Sequence, residues 1–390
     1  MTHLRINRKQ GITLKTVLYF VALLPYMGFA GLRNFLGDSV YETWMIVGFG
    51  LLFVCMLSLI HSIRVNSFSV LFLSVQALIF LSTVLQHGFS FGVAVAMGTG
   101  VLLILLVTID MREIIQAVSA IAVLALIINI LMMLIRGLGD NTIYFIGGKN
   151  AFSIFLIPAS FIVLFNALLR QGRFSLSSII YVLASVVVIV VGGSGTGIIV
   201  SAVMVCFLLV FFNRTKYDLR KLFLICIIVN ALFLLLIQQI ANSSFWINFT
   251  GMLDKNSNLT SRTLIWDTCY KMLRKNWFLG LGRGVVISYV NSYGLISRVY
   301  EAHNFLLEIV LEGGVICLAL YAGVLAKAIL RLRADSRMHR LILIALSVFM
   351  VNGITESVNN SILLMLLLGV ANYLSVSGQP SGNQEGNGEV

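Results

Sequence analysis

Charge is the scarcest property of this chain. Only 11% of its 390 residues are Asp, Glu, Lys or Arg, against about a quarter in a soluble domain. With 59% hydrophobic residues and a mean hydropathy of +0.99, a soluble fold is excluded and a polytopic membrane protein remains. Signatures of energy coupling and metal chemistry are missing too. There is no GxxxxGKS or GxxxxGKT loop, no HExxH, no paired-histidine cluster and no acidic metal cage. The glycine-rich GGSGTG at 192–197 joins two apolar runs, not a strand to a helix, so it fits neither a P-loop nor a dinucleotide fingerprint. Of five cysteines (Cys55, Cys206, Cys226, Cys269 and Cys317), none are spaced as a metal knuckle, which argues against Cys-bound metal and structural disulfides. No Ala-x-Ala pattern ends the first apolar run, which passes Pro25. It reads as a retained helix behind the basic segment MTHLRINRKQ.

What is present is apolar and long. Stretches at about 13–30, 42–61, 68–86, 89–108, 114–135, 151–169, 178–191, 195–212, 220–240, 303–326, 340–355 and 358–376 predict an all-α polytopic integral membrane protein of about 12 transmembrane helices. The pairs around Gly192–Gly197 and Gly353–Asn360 are short enough to be tilted or re-entrant. The net charge of +12 reads as topology, not nucleic-acid binding. With the N-terminus inside, inner segments hold 17 of the 27 Lys and Arg. Outside, only Arg33, Arg136 and Lys149 lie beyond one long loop. This positive-inside pattern predicts both termini cytoplasmic and the loop outside. One transmembrane domain spans 1–376, with the extracytoplasmic loop 241–302 inside it. The Gly-rich tail 377–390 predicts a disordered cytoplasmic end.

A polar loop of that length between apolar spans usually does a job. It carries Arg262, Lys271, Arg274, Lys275, Arg283 and Arg298 and runs into His303 and Asn304. SRTLIWDTCYKMLRKN predicts a short helix at the membrane surface, N-capped by Ser261, with Leu264, Trp266, Tyr270 and Leu273 on its apolar side. In WFLGLGRG, Gly280, Gly282 and Gly284 permit tight turns and bring N–H groups close to a ligand, with Arg283 between two of them. Chemistry outside the cell, without ATP, must run on energy stored in the substrate. A lipid-linked diphosphate sugar is such a substrate. Guanidinium groups stabilise its leaving diphosphate, and a histidine titrating near neutrality can serve as base.

These residues also carry a resemblance. Arg262 precedes a Trp and a short helix; Asn276, Gly280 and Gly282 form N-x-x-x-G-x-G. His303, Asn304, Leu307, Glu312 and Gly314 form H-N-x-x-L-x-x-x-x-E-x-G, and NGITES at 352–357 contains Glu356. This core, roughly 255–360, resembles the O-antigen ligase and Wzy-type polysaccharide polymerase superfamily; the N-terminal half matches by topology only. The resemblance implies a metal-independent GT-C-type glycosyltransferase with no cofactor. It implies His303 as the base, Arg262 as donor-binding arginine, and undecaprenyl-diphosphate-linked oligosaccharide as substrate. It also implies a bacterial cell (inner) membrane location, membrane lipids, a flippase and a chain-length regulator as partners, and no nucleic acid. Family members often have Ser-Arg where this chain has Ser194 and Thr196. A second donor contact then falls to Arg283, Arg298 or backbone N–H groups of that turn.

Each residue has a plainer reading. His303 could cap a span, Arg262 could anchor to headgroups, and Arg283 and Arg298 could snorkel. Glu301 could orient His303 or be solvated, whereas Glu356 is costly at the edge of the hydrocarbon. Asp110 and Glu113 beside Arg112 read as a local charge cluster. Among superfamily members, the GGSGTG turn and the moderate loop favour a capsule, exopolysaccharide or O-antigen polymerase. The alternatives are a ligase transferring to lipid A core or another acceptor and, in a different class, a polysaccharide or lipid-linked solute transporter.

Overall fold

A computed structural model describes residues 11–63, 65–139, 142–240, 243, 248, 261–290, 295–332, 336–358 and 361–377. The basic N-terminal segment with Arg5, Arg8 and Lys9, most of 241–260, Tyr293 and the tail from residue 378 lie outside them.

The chain folds as apolar helices, because hydrocarbon offers no partner for exposed backbone groups. In order these are α1 (Leu14–Leu23), a 3-10 turn (Leu24–Met27), α2 (Ala30–Leu36), α3 (Asp38–Ser58), α4 (Ser67–His87) and α5 (Phe91–Arg136). Then come α6 (Lys149–Gln171), α7 (Leu176–Val191), α8 (Gly195–Phe211) and α9 (Leu219–Ile240). The loop contributes α10 (Arg262–Asn276) and an antiparallel hairpin, β1 (Ile287–Val290) with β2 (Ile296–Val299), which the all-helical expectation did not include. The chain continues as α11 (Phe305–Ile329), α12 (Arg337–Asn352) and α13 (Ile362–Ser377). Among the described residues, six helices are long and apolar enough to cross a membrane, or seven if the bent pair α1–α2 is one span. The twelve expected crossings are not established by length. The stretches expected at 89–108 and 114–135 are the two helical arms of α5, which meet at a kink at Asp110 (φ −107°, ψ 33°). There Asp110 is buried, bonded to Lys15 Nζ (3.0 Å) and Tyr19 Oη (2.8 Å). The local charge cluster thus has its partners on α1.

α6, α12 and α13 form the core, with nearly every residue from Phe152 to Leu168 and from Leu341 to Met350 buried. α3, α7 and α9 turn large apolar side chains outward, as membrane-facing helices do. Two helix breaks, at Gly192–Ser194 and Gly353–Val358, meet at one end of the bundle, where Thr196 Oγ1 lies 3.1 Å from Thr355 Oγ1. The same end carries a second, smaller core. Ile265, Trp266 and Cys269 of α10, Leu281, Ile287 of the hairpin, and Leu307 and Leu311 of α11 pack together. The apolar side of α10 is therefore buried in protein instead of lying on a membrane surface. Ser261 does not cap α10 through its side chain, and its φ is 70°.

Candidate active site

The site forms where α11 begins. Asn304 is fully buried and its amide is engaged on both sides. Its Oδ1 accepts from Leu307 N (2.9 Å), capping α11, while Nδ2 donates to Asn230 Oδ1 and to Ile354 O (both 3.0 Å). It locks the helix start to α9 and to the break after α12. His303, one residue earlier, is pushed into left-handed backbone (φ 51°), a conformation non-glycine residues rarely adopt. Its side chain is 28% exposed.

Glu356 is the hub. One carboxylate oxygen accepts from Arg262 Nη2 at 2.6 Å; the other faces His303 Nδ1 at 3.7 Å. Glu356 is 2% exposed and Arg262 12%. His303 Nδ1 is buried without a hydrogen-bond partner among the described residues, so the 3.7 Å gap to Glu356 is an approach, not a bond. On the other flank, Arg283 Nε lies 4.0 Å from Glu312 Oε1. Glu308, buried one turn before Glu312, accepts from Ala302 N (2.5 Å) and Ser357 Oγ (3.0 Å), tying the His303 approach to the Glu356 segment. Glu301 lines a cavity of about 250 Å³ with Ser357, Met27, Gly28, Ile154 and Phe155. Its carboxyl is held above the ordinary glutamate range by desolvation first, then by Glu356 and Glu312, against His303 and Arg283. The side chain keeps substantial contact with solvent, which weakens that burial effect.

Four carboxyls against two guanidinium groups make this an acid-rich pocket. Arg262 and Arg283 are each engaged with a glutamate already. Among the described residues, no three His, Cys, Asp or Glu side chains are grouped to hold a metal ion. Cys269, the loop cysteine, is buried and its thiol is pushed up to about 12.

The glycine turn does something other than expected. α11 is broken at Gly314 (φ 68°), and residues 277–282 dock against the break. Val315 N donates to Trp277 O (2.9 Å), Leu281 N to Leu311 O (2.7 Å), Gly282 N to Glu312 O (3.0 Å), and Arg283 N to Thr83 Oγ1 (2.9 Å). These N–H groups are taken up by protein and do not face a ligand. A Cβ on Gly314 would lie 2.0 Å from Phe278 O, and one on Gly282 2.5 Å from the Thr83 Cα. Gly280, Gly282 and Gly314 are required by backbone contact, whereas Gly284 has open space around it, and the turn fixes where Arg283 emerges beside Glu312.

Arg262, His303, Glu301, Glu356 and Arg283 are thus brought to one place, and Asn304 lies beneath them. Arg298 is not. It is exposed on β2 opposite Ser288, outside the ion pairs that join the others. Trp266 is loop core, donating to Ala302 O at 2.8 Å, whereas Trp277 is exposed. Sequence reasoning missed Glu308, although two glutamates four residues apart in an apolar helix are a costly and therefore informative pattern. Asn352, buried beside the site with neither amide atom bonded, had no sequence signal beyond its place in NGITES.

Residues 180–322 match the family described as O-antigen ligase. The match contains the GGSGTG turn, Arg262, the glycine turn and His303 to Gly314, and stops short of Glu356. No curated protein and no solved structure matches the chain.

Proposed function

We propose, from the similarity of residues 180–322 to the O-antigen ligase family, that the protein is a polysaccharide polymerase. It moves a glycan from undecaprenyl diphosphate to the hydroxyl of another lipid-linked repeat, on the extracytoplasmic face and without a metal. The carrying observation is Glu356, shared between Arg262 and His303 Nδ1.

With Nδ1–H turned to Glu356, the lone pair of His303 Nε2 is left for the acceptor. Closing the 3.7 Å gap by under an ångström completes that hydrogen bond, as catalytic contacts often tighten only on substrate binding. The acceptor oxygen then attacks C1 of the donor sugar. The C1–O bond to the diphosphate breaks, the leaving oxygen keeps the electron pair, and the acceptor proton ends on Nε2. Arg262 keeps four further N–H groups beyond the one used by Glu356, and Arg283 flanks the site from the Glu312 side. These are the diphosphate ligands in this reading. Glu301 and Ser357, at the neighbouring cavity, offer hydrogen bonds to sugar hydroxyls.

The test is deletion of the chain in its host, followed by sizing of the surface glycan. Loss of long chains, with single repeats still transferred, supports a polymerase. Long chains stranded on undecaprenyl diphosphate overturn that reading and make the protein a ligase using the same His303 chemistry.

A further inference from the structure

We propose a second binding site at the opposite end of the bundle from His303: a crevice that holds a glycerophospholipid with an anionic headgroup. The inference does not depend on the reaction proposed above. The crevice, about 640 Å³, lies between α1, the second arm of α5, α6 and the start of α7. Its apolar part is built by Phe20, Val123, Ile127 and Val163. Its polar part holds Arg170, Gln171 and the serines that open α7.

Two features point to an occupant. Ser119 Oγ and Asn166 Oδ1 both line the crevice, are buried, and have no hydrogen-bond partner among the described residues. Ser119 is only 5% exposed, and burying a hydroxyl unbonded is unfavourable. Some buried helix hydroxyls bond back to their own helix, as Thr99 does to Val95 O, Ser160 to Leu156 O and Ser347 to Leu343 O, whereas those of Ser82, Ser185 and Ser201, like that of Ser119, have no partner among the described residues; of these four, Ser119 is the one that lines the crevice. The second feature is the mouth. Arg170 stands beside the N-terminus of the 16-residue α7, where Ser175 satisfies only Ser178 N (3.1 Å). A guanidinium beside free helix N–H groups is suited to a phosphate.

The apolar part says what else the ligand must have. Ile12, Val17, Val123, Leu124 and Ile127 are exposed along the crevice, on a surface that in this class of protein meets hydrocarbon. From Gln116 to Ile127 the wall runs about 16 Å along α5 at 1.5 Å per residue. A phosphate head at Arg170 with an acyl chain laid along this wall fits the mouth and the wall, an ester carbonyl can accept from Ser119 Oγ, and a headgroup hydroxyl can donate to Asn166 Oδ1. A free phosphate fits only the mouth.

The test uses purified full-length protein, delipidated in detergent, titrated with phosphatidylglycerol, phosphatidylcholine of the same chains, or inorganic phosphate, and read by native mass spectrometry. Phosphatidylglycerol is expected to be retained in about 1:1 ratio and the other two not. Arg170→Gln should weaken retention about tenfold, the loss of one charge-assisted contact. Ala120→Trp, at an exposed lining position that packing tolerates, should block the crevice while leaving the melting temperature unchanged. Equal retention of phosphatidylcholine, retention of inorganic phosphate alone, or undiminished phosphatidylglycerol in both variants would overturn the proposal.

Discussion

Replacing Glu356 tests the site most directly, because one carboxylate holds two other groups. Glu356→Ala leaves the Arg262 guanidinium 12% exposed with its 2.6 Å partner gone. Stripping one member from a buried pair costs about 3–5 kcal/mol, mostly for the charge left behind. Glu356→Gln keeps an acceptor for Arg262 and should cost less, about 1–3 kcal/mol. Removing the charge from both sides, in Arg262→Met with Glu356→Gln, should restore most of the stability lost by Glu356→Ala. Turnover should not follow stability. Without a carboxylate facing Nδ1, His303 loses its orienting partner, and general-base help of about 10²–10⁴-fold is at risk. The assays are thermal unfolding of each variant in detergent and elongation of purified lipid-linked repeats. The order of stability expected is parent, then the double variant close to Glu356→Gln, then Glu356→Ala, with all three variants nearly inactive. A Glu356→Ala protein as stable and active as the parent would refute the shared-carboxylate geometry. A double variant as unstable as Glu356→Ala would show that the Arg262 charge is not what Glu356 compensates.

Glu301 is held above the ordinary glutamate range in the folded protein, so its ionisation opposes folding. The native state binds the extra proton, and stability falls as pH rises from the ordinary glutamate value to the raised one. Glu301→Gln should therefore melt slightly higher than the parent at pH 7, and the difference should vanish at about pH 4, below the reference glutamate value; a gap that widens on acidification would contradict the sign. Gly314→Ala should prevent accumulation of folded protein, since its Cβ would strike Phe278 O, whereas Gly284→Ala, with open space around it and only φ 82° to strain it, should lose about 1–2 kcal/mol. Comparable melting temperatures for the two would refute the docking of the glycine turn into α11. Orientation is checked by cysteines at Arg298 and Lys216 labelled in whole cells with an impermeant thiol reagent; labelling at 298 alone is expected, and labelling at 216 alone would invert the topology.

Much of this protein could be read from local sequence, because hydropathy, capping and backbone conformation act over a few residues. The apolar runs determine helices, and their interruptions at Gly192 and Gly353 mark the breaks found there. Asn304 opens α11 where its motif places it, and His303 and Arg262 both approach Glu356. Three things were decided only by tertiary structure. Glu356, 94 residues from Arg262, becomes its partner because the break after α12 meets the loop at the start of α11. Asp110 pairs with Lys15 instead of its neighbour Arg112, because α1 packs against the break in α5. Gly280 and Gly282 of the loop serve close backbone approach to α11 and α4, which spacing alone cannot distinguish from ligand binding. Buried charges and close backbone contacts are settled by which helix ends meet. That depends on the packing of the whole bundle, and no window of sequence contains it.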